Sequence, residues 1–311
     1  MSAELDDELS NMILEGVVTQ LKLFAGTERL NSAVVTENSW LLNFHIRDAA
    51  VRFDKEEHQY ILNPGTPMEA VFPISVSGLW QQYFEKFDPV ATTLKYYDNW
   101  AENPNSSYFN MISQYRRAGE SDLQIAQRIR DGWSQKGLVA KAEGTRMHRN
   151  IELALGGEVY DGSSVEMRMF RKYAAEWLEP RGWRVYRLEW SIYCSNAMVA
   201  GQIDALFVCN GAYHMVDWKR CSKPLEVWAG AAFHRYGLQP FEDCLDNACN
   251  HYFVQQNLYA VILERRYEIR LASMSLCHIH PNYETYHVIE IPDWRDRAGW
   301  ILDRYELSRS K

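Results

Sequence analysis

The tightest constraint on this chain is the dipeptide Asn210-Gly211, which separates two apolar-rich stretches, Val199–Cys209 and Ala212–Lys219. Asn-Gly favours the left-handed backbone of a type I′ turn, whose twist matches that of two paired strands. The segment therefore reads as a β-hairpin. Its turn lies nearly midway between Asp204 and Asp217, so the two carboxylates come side by side on paired strands. Asp217 stands between Val216 and Trp218, where an unpartnered carboxylate is costly.

The rest of the chain is read around that hairpin. From Trp183 the period is strand-like, with Val185, Arg187 and Glu189 alternating with Tyr186, Leu188 and Trp190. Val51–Phe53 and Gln59–Leu62 flank the polar turn Asp54-Lys55-Glu56-Glu57 and predict an earlier hairpin. Ser77 is expected to cap a helix carrying Trp80, Tyr83 and Phe84. Helical spacing runs over Asp122–Lys136 and again over Ala140–Leu155, ending at Gly156-Gly157. A helix over 250–265 and strands over Ile269–His280 and Glu284–Ile291 close the pattern. Leu5 to Leu23 has apolar residues at helical spacing and reads as part of an extension packed on the body. The expected fold is α/β (α+β), with a central mixed sheet flanked by helices and an added N-terminal helical region. Residues 1–50 are the extension. Residues 51–311 are one domain, with a helical part at about 76–155 and the core at about 140–292.

Composition narrows the class. Apolar residues make up 47% and aromatics 13%, which suits a well-packed globular protein. No apolar run approaches the roughly 20 residues needed to span a bilayer, so no membrane partner is expected. The first ten residues are acidic and polar, unlike a secretory signal. The six cysteines form no C-x-x-C pair and read as free thiols in a reducing intracellular compartment, cytoplasm or nucleus. Cys244, Cys249 and His251, like Cys277, His278 and His280, lack the paired spacing of a zinc site. They read as buried thiols and surface imidazoles.

Four pieces carry chemistry. Gly144-Thr145-Arg146-Met147-His148-Arg149-Asn150-Ile151-Glu152 puts His148 and Glu152 on one helix face. Gly201-Gln202-Ile203-Asp204 and Asp217-Trp218-Lys219 lie on the two hairpin strands, and Gln255-x-x-x-Tyr259 lies on a later helix. Two carboxylates, a lysine two residues on and an upstream histidine make a hard-cation site beside a positive charge. Mg²⁺ takes oxygen ligands, which Asp204, Asp217 and the Trp218 carbonyl offer. His148 as a nitrogen ligand suits Mn²⁺ better. One or two ions fit, with Glu152 able to hold a water or a second ion. Lys219 shares the face of Asp217 and is placed to stabilise transition-state charge. Such a site fits phosphodiester hydrolysis.

These four ordered motifs resemble the PD-(D/E)XK nuclease superfamily, and within it the RecB-type and lambda-exonuclease-like branch. The thirteen-residue step from Asp204 to Asp217 is typical of that branch. The wider pattern, from the early hairpin through Val76-Ser77-Gly78 to His280-Pro281, is similar to exonuclease-like proteins of large DNA viruses, phages and mobile elements. The resemblance implies a restriction-endonuclease-like core. It also implies His148, Asp204 and Asp217 as metal ligands and Lys219 as the catalytic lysine. Gln255 and Tyr259 are implied to line the site and contact the DNA backbone. Glu189 matches a glutamate common in the family, without an assigned role. Some relatives carry four cysteines for an iron–sulfur cluster; the cysteines here lack those positions, and no cluster is expected.

Around the site, Arg220 and Ser222 are candidates for the neighbouring phosphate, and Arg146 and Arg149 flank His148. Trp183 and Tyr186 could stack on bases, but core packing is the commoner use of such residues. The formal charge of −8 at first argues against nucleic acid. Its distribution does not: Lys136 to Lys223 holds 13 Lys+Arg against 10 Asp+Glu, so the acidity lies elsewhere. Binding is expected to be local and salt-sensitive. The expected activity is a metal-dependent DNase acting on ends or single strands. An RNA endonuclease of the histidine-containing type and an inactive nucleic-acid-binding module stay open. No feature decides whether a protein partner or a second copy is involved.

Overall fold

The computed structural model describes residues 26–231 and 234–309. The stretch Leu5–Leu23 lies outside them. Two compact units share the chain: the described residues up to Tyr83 with those from Met147 onward, and Phe84–Arg146.

In the first unit, β1 (Thr27–Glu28) and the short helix α1 (Ser39–Leu42) precede a hairpin of β2 (Val51–Asp54) and β3 (Gln59–Leu62). Asp54 closes that turn by accepting the backbone N–H groups of Glu56 and Glu57. Then β4 (Ala70–Val71) pairs with β3, and β5 (Ile74–Ser75) runs straight into α2 (Val76–Trp80). The cap of α2 is Ser75, not Ser77. Ser75 has the extended backbone that a cap needs, and its hydroxyl accepts the Gly78 N–H at 3.1 Å. Tyr83 lies past this helix, in a 3₁₀ turn over Gln81–Tyr83.

The second unit holds α3 (Pro89–Glu102), α4 (Phe109–Arg117) and the first part of α5 (Asp122–Leu155). Asp88 caps α3 through the N–H groups of Val90 and Ala91, with Pro89 at the first helical position. Tyr97, Ala101, Ile112, Ile125 and Ile129 form the core of this unit. The expected break in α5 near residues 137–139 is absent; the helix is continuous over 34 residues. Gly132, Gly137 and Gly144 have open space where a Cβ would be. Each costs about 1 kcal/mol against alanine, which lowers helix stability without ending it.

Back in the first unit, β6 (Tyr160–Asp161) pairs with β1, and α6 (Val165–Tyr173) starts at the Ser164 cap. The meander follows as β7 (Arg184–Cys194), β8 (Val199–Cys209) and β9 (Ala212–Lys219), then α7 (Ala248–Tyr267). Last come β10 (Leu271–His278), β11 (His287–Glu290) and α8 (Arg295–Arg309), the two strands shorter than expected at both ends. The central sheet is mixed, ordered β11-β10-β9-β8, with β10 parallel to β9. One face is packed by the end of α5 and by α6, with Met147, Ile151, Met167, Phe170 and Tyr173 around Phe207 and Trp218. Trp183 stacks on His214 at 4.2 Å and belongs to that core. Tyr186 packs edge-on against Tyr213 at 5.0 Å. Among the described residues, no helix is long and apolar enough to cross a membrane.

β7 covers one edge of β8 from Val199 to Val208. The other edge is shared: β9 pairs with residues 205–209, and β5 pairs in parallel with Val199 and Ala200. Residues 201–204 lie in the fork between β9 and β5, and Asp204 stands at its mouth.

Candidate metal centre

Asp204 lies one step beyond the last β8–β9 pair, Ala205↔Val216, in the same register as Asp217. The strands separate there, and a backbone group that would have joined the ladder is used differently: the Trp218 N–H donates to Asp204 Oδ2 at 2.8 Å. The same oxygen lies 3.4 Å from His148 Nδ1, on the part of α5 that packs against the sheet. The helix thus delivers the histidine, the hairpin delivers the carboxylate, and one main-chain hydrogen bond fixes the carboxylate's rotamer.

A third donor comes from β7. Glu189 falls between the pairs Leu188↔Ala205 and Trp190↔Ile203, and so sits across from Asp204. His148, Glu189 and Asp204 each offer one ligand atom, all within 4.8 Å of one another. Glu189 has φ 44°, in the left-handed region, in the middle of an eleven-residue strand. For a residue with a Cβ this costs of order 1–3 kcal/mol. Its carbonyl is held by the Gln202 side-chain amide at 2.9 Å. Burial pushes the Glu189 carboxyl well above the usual range, and Asp204, Glu152 and Asp217 push it further. Such concentrated negative charge is what a divalent cation offsets. The donor set of two carboxylates and one imidazole fits Mg²⁺ or Mn²⁺, with the nitrogen favouring Mn²⁺.

Beside this triad lies a second pair. Asp217 is 3% exposed, and Lys219 Nζ stands 2.5 Å from its Oδ2. The other Asp217 oxygen accepts from Gln256 Nε2 at 2.7 Å. Burial and then Asp204 raise the Asp217 carboxyl, and Lys219 partly offsets them. Burial works against the Lys219 charge, but Asp217 and Asp204 outweigh it and hold the ammonium protonated. Its Nζ also lies over the Tyr252 ring, 4.4 Å from the centroid.

The structure therefore brings His148, Asp204, Asp217, Lys219 and the Trp218 backbone to one place. The Trp218 indole is buried between Phe170 and Tyr173. Glu152 stands one turn beyond His148 and is paired with Arg149 at 2.6 Å, outside the triad. Arg146 pairs with Glu143 at 2.5 Å in the other unit. Arg220 is turned inward onto the buried Glu166 at 2.7 Å. Ser222 is exposed, and its carbonyl accepts from Asn282 and Tyr283. Gln255 reaches Ser77 Oγ and Tyr259 OH, both at 3.2 Å. Tyr259 is 3% exposed and lies against Gly201, where a Cβ would come within 2.6 Å of its ring. Glycine at the head of Gly201-x-x-Asp204 is thus required by the tyrosine of the later helix.

Glu189, Gln256 and Tyr60 are the residues that sequence reasoning did not place. Gln256 adjoins Gln255, but only the helix phase shows which of the two faces Asp217. Tyr60 on β3 has its hydroxyl pushed up by burial and then by Glu189 and Asp204, which locates it near the triad. Cys277 is buried in the core, away from any ligand role with His278. His251 is bound to Asp246 at 2.8 Å, and Cys244 contacts Asp243 and Arg297. All six cysteines are free. Among the described residues, only His148, Glu189 and Asp204 bring three such donors together. No protein-family model matches the chain, and no curated protein is significantly similar to it.

Proposed function

We propose that this chain is a metal-dependent nuclease that hydrolyses phosphodiester bonds of DNA, at ends or in single strands. The observation that carries the reading is the convergence of His148, Glu189 and Asp204 within 4.8 Å beside the buried Asp217–Lys219 pair. Such clusters of perturbed groups mark functional sites.

His148, Glu189 and Asp204 would hold the cation, which when bound supplies Lewis acidity toward a phosphate oxygen and makes water more acidic. The chain's own groups do the rest. The Trp218 N–H keeps Asp204 from rotating away. Gln256 fixes Asp217, and Asp217 fixes Lys219. The Lys219 ammonium, protonated and 14% exposed, would bind the attacking water and stabilise negative charge growing on the phosphate. Tyr252 under the ammonium limits its swing.

The test is incubation with labelled single-stranded and duplex DNA and RNA, ends free or blocked, with Mn²⁺, with Mg²⁺ or with chelator. The expected result is metal-dependent shortening of DNA that requires a free end or a single strand. Cleavage of RNA alone would move the substrate to RNA. Inactivity on every substrate with retained binding would make the chain a binding module.

A further inference from the structure

A cleft of about 430 Å³ adjoins the metal centre, lined by Arg29, Thr36, Asn38, Trp40, Glu152 and Leu188 among others. Glu152 is one helical turn from His148, and Leu188 is the neighbour of Glu189, so the cleft opens from the edge of the site. Its volume is within the range of small-ligand pockets. Trp40 is 56% exposed on its wall. The Thr36 hydroxyl is buried there and makes no hydrogen bond among the described residues. Asn38 has φ 52°, and its side chain does not cap the helix that it precedes. A buried hydroxyl without a partner costs free energy that a ligand can recover.

The charge of the cleft selects what enters it. Glu37, Glu152 and Glu158 line it, and the one guanidinium, Arg29, is spent on the Gly157 carbonyl at 2.7 Å. A phosphate is repelled by such walls, whereas a flat neutral ring with hydrogen-bonding edges is not. The cleft wall at Thr36 and Glu37 is also firmly set. Thr36 N–H donates to the Leu155 carbonyl, and the Glu37 side chain lies against Gly157, which has φ +77° and no room for a Cβ.

We propose that this cleft receives one unpaired nucleobase of the strand being cut, stacked on Trp40, with its edge met by Thr36 and Asn38. The proposal rests on the nucleolytic reading and deepens it. A base can enter only after leaving a duplex, so the cleft makes the enzyme select single strands and frayed ends. Stacking on an aromatic side chain tolerates every base, so no sequence preference is implied.

The test uses the full chain and single-stranded DNA oligonucleotides with one abasic nucleotide moved along the strand. Binding is read by anisotropy with chelator present, and KM and kcat are read with Mn²⁺. For the wild type, one abasic position near the cut weakens binding about tenfold. Trp40→Ala loses about tenfold on the intact strand, mainly in KM, and no longer responds to that position. Trp40→Phe stays within about threefold of the wild type. If the wild type responds to no abasic position, or if Trp40→Ala loses equally on intact and abasic strands, the base pocket is refuted. The wild-type scan decides this even if Trp40→Ala fails to fold. A wild type that cuts DNA while Trp40→Ala binds and cuts equally well refutes the pocket alone. A wild type that neither binds nor cuts nucleic acid refutes the nucleolytic reading, and the pocket with it.

Discussion

Glu189 and Asp204 face each other across adjoining strands, and the backbone of Glu189 is bent into the left-handed region where they meet. Two carboxylates at this separation resist joint ionisation. The arrangement is therefore poor for an empty protein and good for a cation-loaded one. Glu189→Gln keeps the shape and removes one charge. It is expected to weaken Mn²⁺ binding by at least about ten- to a hundredfold, the range that loss of even a partner behind a ligand gives. The same change is expected to raise the melting temperature of the metal-free protein. Titration calorimetry with Mn²⁺ and thermal melts with chelator check both. Unchanged Mn²⁺ affinity would remove Glu189 from the centre.

Lys219 is held by Asp217 rather than by solvent, so its position depends on a buried partner. Lys219→Ala is expected to lower DNA cleavage by at least about a hundredfold, the effect of removing one donor to transition-state charge, and Asp217→Ala by a similar factor because Asp217 holds Lys219 in place. Binding of a single-stranded oligonucleotide should change far less in Lys219→Ala. Removing one partner of a buried pair also destabilises the fold, so the cleavage rates are compared below each variant's own melting transition. Wild-type rates in both would move the active site elsewhere.

The hairpin was legible because Asn210-Gly211 acts locally, and its register then brought Asp204 and Asp217 to one level. Helical spacing put His148 and Glu152 on one face, of which only His148 joins the triad. Glu189 was not legible as a donor, because simple alternation puts it with Val185 and Arg187. In the structure the register shifts between Val185 and Arg187, and the positive φ at Glu189 breaks the period again. A two-residue period cannot anticipate a bulge. The continuous α5 was missed for the opposite reason. Its exposed glycines imitate helix ends, while buried Ile125 and Ile129 before them and Met147 and Ile151 after them hold the helix. Arg220 looked free in sequence because its partner, Glu166, lies far off in the chain and becomes known only through side-chain packing. Arg149 pairs with Glu152 three residues on, a partner that helical spacing already offers.

Gly201 and Tyr259 form a steric pair that ties α7 to β8. A Cβ on Gly201 would lie 2.6 Å from Tyr259 Cε1 and 3.0 Å from Val76 Cγ2. Both neighbours are buried, so neither swings aside freely. Gly201→Ala is expected to cost about 1–3 kcal/mol, the usual penalty of overpacking. Adding Tyr259→Leu should return part of that loss, because the ring edge is the nearest obstacle. Urea unfolding of the two single variants and the double variant measures the coupling. Additive losses would show that the two sites do not meet.

His278 is expected to make the sheet sensitive to acid. It is 2% exposed, and its Nε2 lies 2.7 Å from the Cys221 carbonyl, so that nitrogen carries the hydrogen. Burial holds its pKa below the ordinary 6.5, the Cys221 hydrogen bond opposes this, and His287 and His280 lower it further. A depressed histidine binds fewer protons folded than unfolded. Its share of stability is therefore present above pH 6.5 and is lost as pH falls below it. His278→Gln is expected to flatten the decline between pH 6.5 and pH 5, while costing stability at pH 7.5 through imperfect packing. Urea midpoints at several pH values in both proteins test this. Parallel declines would mean that other groups carry the acid sensitivity, and that His278 stays neutral or charged alike in both states.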